Sequence, residues 1–234
     1  MKIKLLAICG TPVKGEMTNT EYMLNEILKS SEQRAAELGD EIETDLVLLG
    51  EKKIDGGCDH CNWCLKYQTA DVYCSKNDDM EEIYPKIIEC DGLILGTPVY
   101  IGGMTWLLTA FVHRLRALWE GRYYGFRGPY DTVLKDKVFA ASSVAWARHG
   151  GVETAMLHAL LAGIGYTMIP VQGGVYGFFG AGGVSAAPLG QLVAVSKDKF
   201  GMLAAHELGN CVVDRCRLVK AGKAALKYFP AYLE

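Results

Sequence analysis

Four cysteines lie close together in residues 58–74, CDHCNWCLKYQTADVYC, with the spacing C-x2-C-x2-C-x9-C. Three thiols that recur every three residues can reach one small centre, and this is the spacing of the ferredoxin run that binds an iron–sulfur cluster. A structural zinc site more often uses two separated C-x2-C pairs or includes histidine, and free or redox-switching thiols are a third interpretation. Disulfides are the weakest interpretation, because we expect a reducing compartment. The candidate metal ligands are Cys58, Cys61, Cys64 and Cys74.

A second group of residues suited to chemistry lies in CGTPVKGEMTNTEY, at 9–22. Its hydroxyl and amide groups stand at the opening of a predicted helix, where free backbone N–H groups attract anions. Glu16 occupies the place of the P-loop lysine, which disfavours hydrolysis of nucleoside triphosphates, and there is no G-x-G-x-x-G motif for Rossmann-type dinucleotide binding. The loop suits a phosphate monoester instead, although Thr18 could simply cap the helix.

Two further loops contain small residues, GTPVYIGGMT at 96–105 and SSVAWARHGGVET at 142–154. In the first, Tyr100 can lie over a flat ring, and in the second Gly150 and Gly151 leave backbone N–H groups accessible before a helix. Ligands of open α/β sheets bind beyond the C-terminal ends of the strands. The three loops together therefore predict a site for a flat polar heterocycle with a phosphate tail.

The elements that carry these loops alternate between strand and helix. Apolar runs too short for buried helices predict five strands, at Lys2–Cys9, Ile42–Leu49, Gly92–Gly96, Lys137–Ser142 and Thr167–Val175. Amphipathic segments predict helices at Thr18–Leu38, 77–90, Met104–Leu118, Val152–Gly163 and Lys199–Ala221. We expect the second of these to kink or restart at Pro85. Right-handed crossovers then predict an α/β fold, a doubly wound five-stranded parallel sheet with helices on both faces.

Composition indicates a globular protein. The chain has 234 residues, half of them hydrophobic, and a formal net charge of −3, so we expect one domain over 1–234, a cytoplasmic location and neither nucleic acid nor membrane as a partner. The cysteine-rich segment, at about 50–77, is predicted to be an insertion in that domain. Two long stretches, 119–136 and 173–190, are predicted to be functional loops, surface cover or subunit contacts. Exposed aromatic residues suggest a subunit contact in the first, at Trp119, Tyr123, Tyr124 and Phe126.

Taken together, these motifs resemble the flavodoxin-like NADPH-dependent FMN reductase superfamily, and within it the iron–sulfur flavoproteins. The motifs are G-T-P with a downstream T-N-T, then G-T-P-V-Y, R-H-G-G-x-E-T, and the compact cysteines followed by N-D-D-M at 77–80. The resemblance extends in register from residue 3 to about 220. The x9 spacing before Cys74 and the segment 119–136 are both longer than is usual in the family.

The resemblance implies a set of binding residues. The FMN phosphate would lie on Thr11, Thr18, Asn19 and Thr20. The isoalloxazine ring would lie beside Thr97, Pro98, Val99 and Tyr100, with its edge against Ala147, Arg148, His149, Gly150 and Gly151. A 4Fe–4S cluster would fall on Cys58, Cys61, Cys64 and Cys74.

The function implied is that of an oxidoreductase that moves electrons between a one-electron carrier and a small-molecule acceptor. The donor would be ferredoxin or NAD(P)H, and the assembly a homodimer or homotetramer. No acid–base catalytic residue is predicted, because the cofactors supply the chemistry. Two alternatives stay open: an NAD(P)H-dependent FMN or quinone reductase without a cluster, and a redox-sensing flavodoxin-like protein.

Overall fold

One parallel sheet forms the centre of the molecule. The computed structural model describes residues 1–129, 131–186, 191 and 193–226. In order across the sheet, its strands are β2, β1, β3, β4 and β5, and β6 also pairs with β4. Their bounds are β1 (Lys2–Cys9), β2 (Glu41–Leu48), β3 (Gly92–Pro98), β4 (Val138–Ala145), β5 (Ile169–Pro170) and β6 (Ala181–Val184). The prediction of a doubly wound, flavodoxin-like α/β fold is confirmed.

The fifth strand is split, and here the sequence-based prediction is wrong. β5 pairs with the beginning of β4 and β6 with its end, and the chain leaves the sheet between them. The predicted strand at 167–175 starts too early, because Thr167 has a left-handed backbone with φ 58°. β6 lies in the stretch 173–190 that was expected to be a loop, of which 187–190 are outside the described residues. It packs closely because it contains glycine: a Cβ on Gly182 would lie 2.6 Å from Cγ1 of Val152.

Helices cover both faces of the sheet, as the strand alternation predicted. They are α1 (Asn19–Glu37), α2 (Trp63–Tyr67), α3 (Met80–Glu89), α4 (Trp106–Arg114), α5 (Arg116–Trp119), α6 (Val152–Gly165) and α7 (Lys199–Leu226), with 3₁₀ turns at Leu49–Glu51 and Ala194–Lys197. The predicted helix at 104–118 is two helices, interrupted at Leu115. α3 continues through Pro85 rather than restarting, because its apolar side chains are buried along the whole helix.

The core consists of two apolar layers on opposite faces of the sheet. In β1, Leu6 and Ile8 contact the layer under α3, α4 and α5, whereas Leu5 and Ala7 contact the layer under α1 and α7. This alternation is the two-residue period of a strand buried on both faces. Among the described residues, no helix is long and apolar enough to cross a membrane. With both faces covered, the C-terminal edge of the sheet is the place where loops can receive a ligand.

Candidate functional site

The loop after β1 ends in a capped helix. The Thr18 hydroxyl accepts a hydrogen bond from the backbone N–H of Glu21 (3.2 Å), and the Glu21 carboxylate accepts one from the Thr18 N–H (3.4 Å). This capping box supports the simple structural interpretation of Thr18. The hydroxyl can still donate its own proton, and the N–H groups of Asn19 and Thr20 lie in the first helical turn, which has no intrahelical acceptors for them.

The four predicted phosphate ligands differ in accessibility. Thr18 and Asn19 are partly exposed, whereas Thr11 and Thr20 are buried. The Asn19 side-chain oxygen accepts a hydrogen bond from the N–H of Val195 (2.9 Å), which ties the start of α1 to the turn at 194–197. An anion at this edge would therefore meet Thr18, Asn19 and the helix start before it met Thr11 or Thr20.

The loop after β3 is a tight turn with an exposed tip. Tyr100 and Gly103 exchange two backbone hydrogen bonds (3.0 and 3.1 Å), and Ile101 between them has a left-handed backbone with φ 47°. Such a conformation is rare for a β-branched residue. Ile101 is fully exposed and Tyr100 is 46% exposed. Thr97 is buried and accepts a hydrogen bond from the N–H of Thr105 (3.2 Å), so it closes the loop rather than facing solvent.

The loop after β4 leaves the beginning of α6 uncovered. Residues 146–150 are exposed, and they include the predicted Ala147, Arg148, His149 and Gly150. Gly151 is the N-cap of α6, with φ 97° and no side-chain capping bond. The first N–H groups of α6 are thus available to an electron-rich group.

The three loops meet at one edge of the sheet. The Thr105 hydroxyl donates to the carbonyl of Gly10 (2.6 Å), and the Gly10 N–H donates to the carbonyl of Gly96 (2.7 Å), which joins the first loop to the second. A Cβ on Gly151 would lie 2.7 Å from Cα of Gly102, so the second and third loops touch there. The predicted flavin-contacting segments therefore lie together, on an open edge rather than in an enclosed cavity.

A large cavity lies beside these loops, and the sequence did not predict it. It measures about 730 Å³ and is bounded by β6, residues 176–180 and the first turns of α6 and α7. Arg148 is the one predicted flavin residue in its lining. Aromatic rings and cations share the walls, from Tyr176, Phe178, Phe179, Phe200, Lys197 and Lys199. Its volume is that of a small-molecule site, and the aromatic pairs in the glycine-rich stretch were the only sequence signal for it.

Hydrogen bonds between residues 53–55 and 78–79 hold together the two ends of the cysteine segment, and we call this contact the neck. Asp79 exchanges two hydrogen bonds with the backbone of Lys53 (2.8 and 3.0 Å), and Asp78 accepts one from the N–H of Asp55 (2.9 Å). Asp78 also binds both terminal nitrogens of Arg114 (2.7 and 3.0 Å), and neither side chain is more than 1% exposed. Burial alone would raise the pKa of Asp78, but hydrogen bonds from Arg114 and from backbone N–H groups lower it overall. The N-D-D-M motif thus joins both ends of the segment to α4.

All four predicted cysteine ligands line one small cavity in this segment. The empty space between them is about 20 Å³, close to the room that one water molecule needs. Cys64 is buried and Cys61 is exposed, with Cys58 and Cys74 between these extremes. Among the described residues, no three His, Cys, Asp or Glu side chains are arranged to hold a single metal ion. A centre larger than a water molecule would require the exposed Cys61 turn to move outward.

Hydrogen-bond donors and a cation lie around two of the cysteines, Cys58 and Cys61. The N–H of His60 donates to Sγ of Cys58 (3.4 Å), and the Nη1 of Arg116 lies 3.9 Å from the same sulfur. Hydrogen bonds from Ser75 and from the Trp63 backbone lower the pKa of Cys61. Burial raises the pKa of Cys64, an effect that the charge of Arg116 opposes. The donor set of four thiols with N–H groups and cations around them suits an anionic metal–thiolate centre.

The stretch 119–136 packs on the cysteine segment. The Arg122 N–H donates to the carbonyl of Cys64 (2.9 Å), and the Tyr124 hydroxyl donates to the carbonyl of Ala70 (2.7 Å). The buried Gln68 amide donates to the carbonyls of Ala117 and Tyr73 and accepts from two N–H groups of the stretch.

The aromatic residues that were expected to be exposed are partly buried, at Trp119, Tyr123, Tyr124 and Phe126. Their exposure was predicted wrongly: Trp119 and Tyr124 pack against the core, and the rings of Phe126 and Tyr123 contact these two. Tyr130 lies outside the described residues.

Comparisons with known proteins place the chain among flavoproteins. The family model for NADPH-dependent FMN reductase matches residues 3–180. An iron–sulfur flavoprotein of Archaeoglobus fulgidus is 35% identical over 173 residues, covering 74% of this chain and 77% of that protein. One from Methanocaldococcus jannaschii is 32% identical over 219 residues, covering 93% of this chain and 100% of that protein. The crystal structure of RosB with 8-demethyl-8-formylriboflavin-5′-phosphate is 15% identical, with a TM-score of 0.68 over 99% of this chain and 90% of that one, a likeness of fold.

Proposed function

The chain belongs to the NADPH-dependent FMN reductase family, in its iron–sulfur flavoprotein branch, and from this premise we propose that it binds FMN and a 4Fe–4S cluster and transfers electrons to a small acceptor. Membership of the family makes it a flavin-dependent oxidoreductase. The observation that carries the finer proposal is the gathering of all four cysteines around one cavity with Arg114, Arg116 and Lys76 in its wall. A cluster with four thiolate ligands is a net anion, so a cationic wall stabilises it.

The flavin proposal rests on the three loops at the C-terminal edge of the sheet. Thr18, Asn19 and the first turn of α1 offer hydroxyl, amide and N–H donors to a phosphate dianion. The uncapped start of α6 offers N–H groups to the electron-rich edge of the ring, and Tyr100 offers an aromatic surface beside it. Thr97, with its hydroxyl facing its own loop, would shape the site without binding the ring.

The choice of cluster over zinc rests on the spacing of the cysteines. Cys58, Cys61 and Cys64 recur every three residues, as in the ferredoxin run, whereas a structural zinc site more often uses two separated C-x2-C pairs or includes histidine. The four cysteines line one cavity, and its lining among the described residues contains no histidine.

The two cofactors would divide the chemistry between them. When bound, the flavin takes up one or two electrons and the cluster passes single electrons, so together they connect one- and two-electron reactions. The protein supplies the N–H groups and cations that stabilise the added negative charge. We propose ferredoxin or NAD(P)H as the donor, a homodimer or homotetramer as the assembly, and residues 1–234 as one FMN-binding domain with the cysteine insertion.

The acceptor would bind in the cavity beside β6. Its volume of about 730 Å³ and its aromatic walls suit a small, flat molecule. Three cations (Arg148, Lys197, Lys199) and two carboxylates (Glu153, Asp198) line it, so the cations are in excess and favour a negatively charged group on that molecule. Arg148 belongs both to this cavity and to the loop proposed for the flavin edge, which makes the two sites neighbours. Lys199→Gln should weaken binding of such an acceptor, whereas Lys29→Gln, on the exposed side of α1, should not.

The test is the absorption spectrum of anaerobically purified protein, with FMN, iron and acid-labile sulfide measured on the same sample. We expect flavin bands over a broad shoulder and about four irons per chain. Cys61→Ser should lose iron and keep FMN, whereas Cys211→Ser, a change on α7, should keep both. FMN without iron would favour the NAD(P)H-dependent reductase without a cluster. The absence of both would favour the redox-sensing alternative.

A further inference from the structure

The guanidinium of Arg116 lies beside the four cysteines and contacts the sulfur of one of them, Cys58. Arg116 is the first residue of α5, immediately after Leu115 interrupts the helix that α4 would otherwise continue. Its Nη1 lies 3.9 Å from Sγ of Cys58, at the long end for an N–H to sulfur hydrogen bond. Its Nη2 donates to the side-chain oxygen of Asn62 (2.9 Å), a residue between the second and third cysteines. One guanidinium therefore contacts two parts of the cysteine turn.

The orientation of this guanidinium is fixed from the other side. The Nε of Arg116 donates to the carboxylate of Glu120 (2.7 Å), one turn farther along the chain. The Arg116 side chain is only 16% exposed, so its charge is weakly screened by water. An arginine guanidinium keeps its positive charge at all physiological pH values.

Arg116, like the other two cations in the cavity wall, has an anionic partner, but the other two use their donors on groups other than sulfur. Both terminal nitrogens of Arg114 bind the Asp78 carboxylate. The Nζ of Lys76 donates to the carbonyls of Asp55 and Gly57 and pairs with Asp59 (2.9 Å). Of these three cations, Arg116 is the one whose side chain reaches a cysteine sulfur. Its effect on the centre is therefore separable from the structural ion pairs.

We propose that Arg116 is a positioning residue that raises the reduction potential of the cysteine-held cluster. The inference rests on the proposed function. Hydrogen bonds to cluster sulfurs and nearby positive charge stabilise the reduced form, which carries one more electron and one more negative charge. Arg116 would thereby make the cluster a better electron acceptor.

Redox titration of the iron-loaded protein tests this proposal, with the cluster followed by electron paramagnetic resonance and the flavin by absorption. Iron and sulfide are first measured in every variant. In Arg116→Gln we expect the ratio of reduced to oxidised cluster at a fixed potential to fall at least tenfold, about 59 mV for one electron. Arg116→Lys, which keeps the charge, should recover part of the shift. The flavin potential should stay unchanged in both.

Arg122→Gln is the matched control, because it removes the same charge from the same region. The Arg122 guanidinium donates to the carbonyl of Lys66 (2.9 Å) rather than to a sulfur. A fully iron-loaded Arg116→Gln protein with the cluster potential of Arg122→Gln would overturn the inference and leave the proposed function standing. A wild-type protein that takes up no iron would overturn the proposed function first. If Arg116→Gln cannot hold iron, Arg116→Lys decides, because lysine lacks the planar fork that reaches both Cys58 and Asn62. We then expect a lower cluster potential in Arg116→Lys than in Arg122→Gln, and equal potentials in the two would overturn the inference.

Discussion

Asp78→Asn tests whether the buried ion pair at the neck holds the cysteine segment in place. The change preserves the volume of the side chain but removes its charge, and it leaves Arg114 with a side chain 1% exposed and no anionic partner. Breaking a buried pair from one side typically costs about 3–5 kcal/mol of folding free energy. A domain is stable by about 5–15 kcal/mol, so this single change should remove a large fraction of the total.

The measurement is urea unfolding of the iron-free protein, followed by circular dichroism and extrapolated to water. Asp45→Asn is the matched control, because Asp45 and Lys86 form an ion pair with both side chains about half exposed. An exposed pair contributes less than about 1 kcal/mol. If Asp78→Asn lost no more stability than Asp45→Asn, the argument that the neck depends on a buried charge would be wrong.

Replacing both partners separates the charge from the hydrogen bonds. In Asp78→Leu/Arg114→Met no unpaired charge is buried, and apolar replacement of a buried pair is often nearly neutral. The N–H groups of Asp55 and Met80, from which Asp78 accepts at 2.9 and 3.2 Å, would still lose their acceptor. Each unsatisfied buried group costs about 1–3 kcal/mol. We therefore expect the double variant to recover part of the lost stability and to retain iron poorly.

The same geometry leads to three further predictions. Hydrogen bonding lowers the pKa of Asp78 overall in the folded protein. The ionised carboxylate therefore stabilises the fold above the unfolded pKa of about 3.9, and this stabilisation is lost as the pH falls through the folded pKa. When the free energy of unfolding is measured against decreasing pH, Asp78→Asn should lose less of it than wild type. Gly151→Ala should weaken FMN binding about tenfold or more, as measured by flavin fluorescence, because the φ of 97° and the nearby Gly102 exclude a Cβ at this position. Gly165→Ala is the control and should leave FMN binding unchanged, because a Cβ at Gly165 would have no neighbouring atom within 4 Å. Gln68→Leu should leave two backbone N–H groups and two carbonyl groups without their hydrogen-bond partner. Each unsatisfied group costs about 1–3 kcal/mol of stability. The stretch 119–136 should therefore open more often, and limited proteolysis should cut it faster than in wild type.

The sheet was predictable from sequence where local apolar character decides the structure. β1 has the predicted bounds because its apolar run, Leu5–Cys9, is too short for a helix and is buried on both faces. β6 could not be predicted in the same way, because AGGV has little strand propensity. It is a strand because it pairs with the end of β4. Glycine is required there because a Cβ on Gly182 or Gly183 would lie 2.6 Å from a side-chain carbon of Val152 or Val195, which is a property of the assembled molecule.

The sequence predicted which residue types form the candidate site, but it did not predict the contacts that hold the cysteine segment in place. The spacing of the cysteines and the position of the loops at strand ends follow from short-range sequence patterns. The partner of Asp78 is 36 residues away, and Gln68 contacts the stretch 119–136 from 55 residues earlier in the chain. Spacing within a motif carries no information on such pairs, so the neck and the packing over the cysteine segment are visible only in the structure.

The closed neck also bears on how the cysteine spacing can vary among relatives. The contacts that join residues 53–55 to 78–79 lie outside the cysteines themselves, so the intervening chain can change length without altering β3, α3 or the sheet. For a loop closed at fixed ends, each doubling of length costs only about 0.6 kcal/mol. The loop-closure cost of a few extra residues before Cys74 is therefore small, and an insertion that keeps the contacts of Gln68, Ala70 and Tyr73 should be tolerated. The fixed ends of the segment let the spacing of its cysteines differ while the sheet and α3 keep their positions.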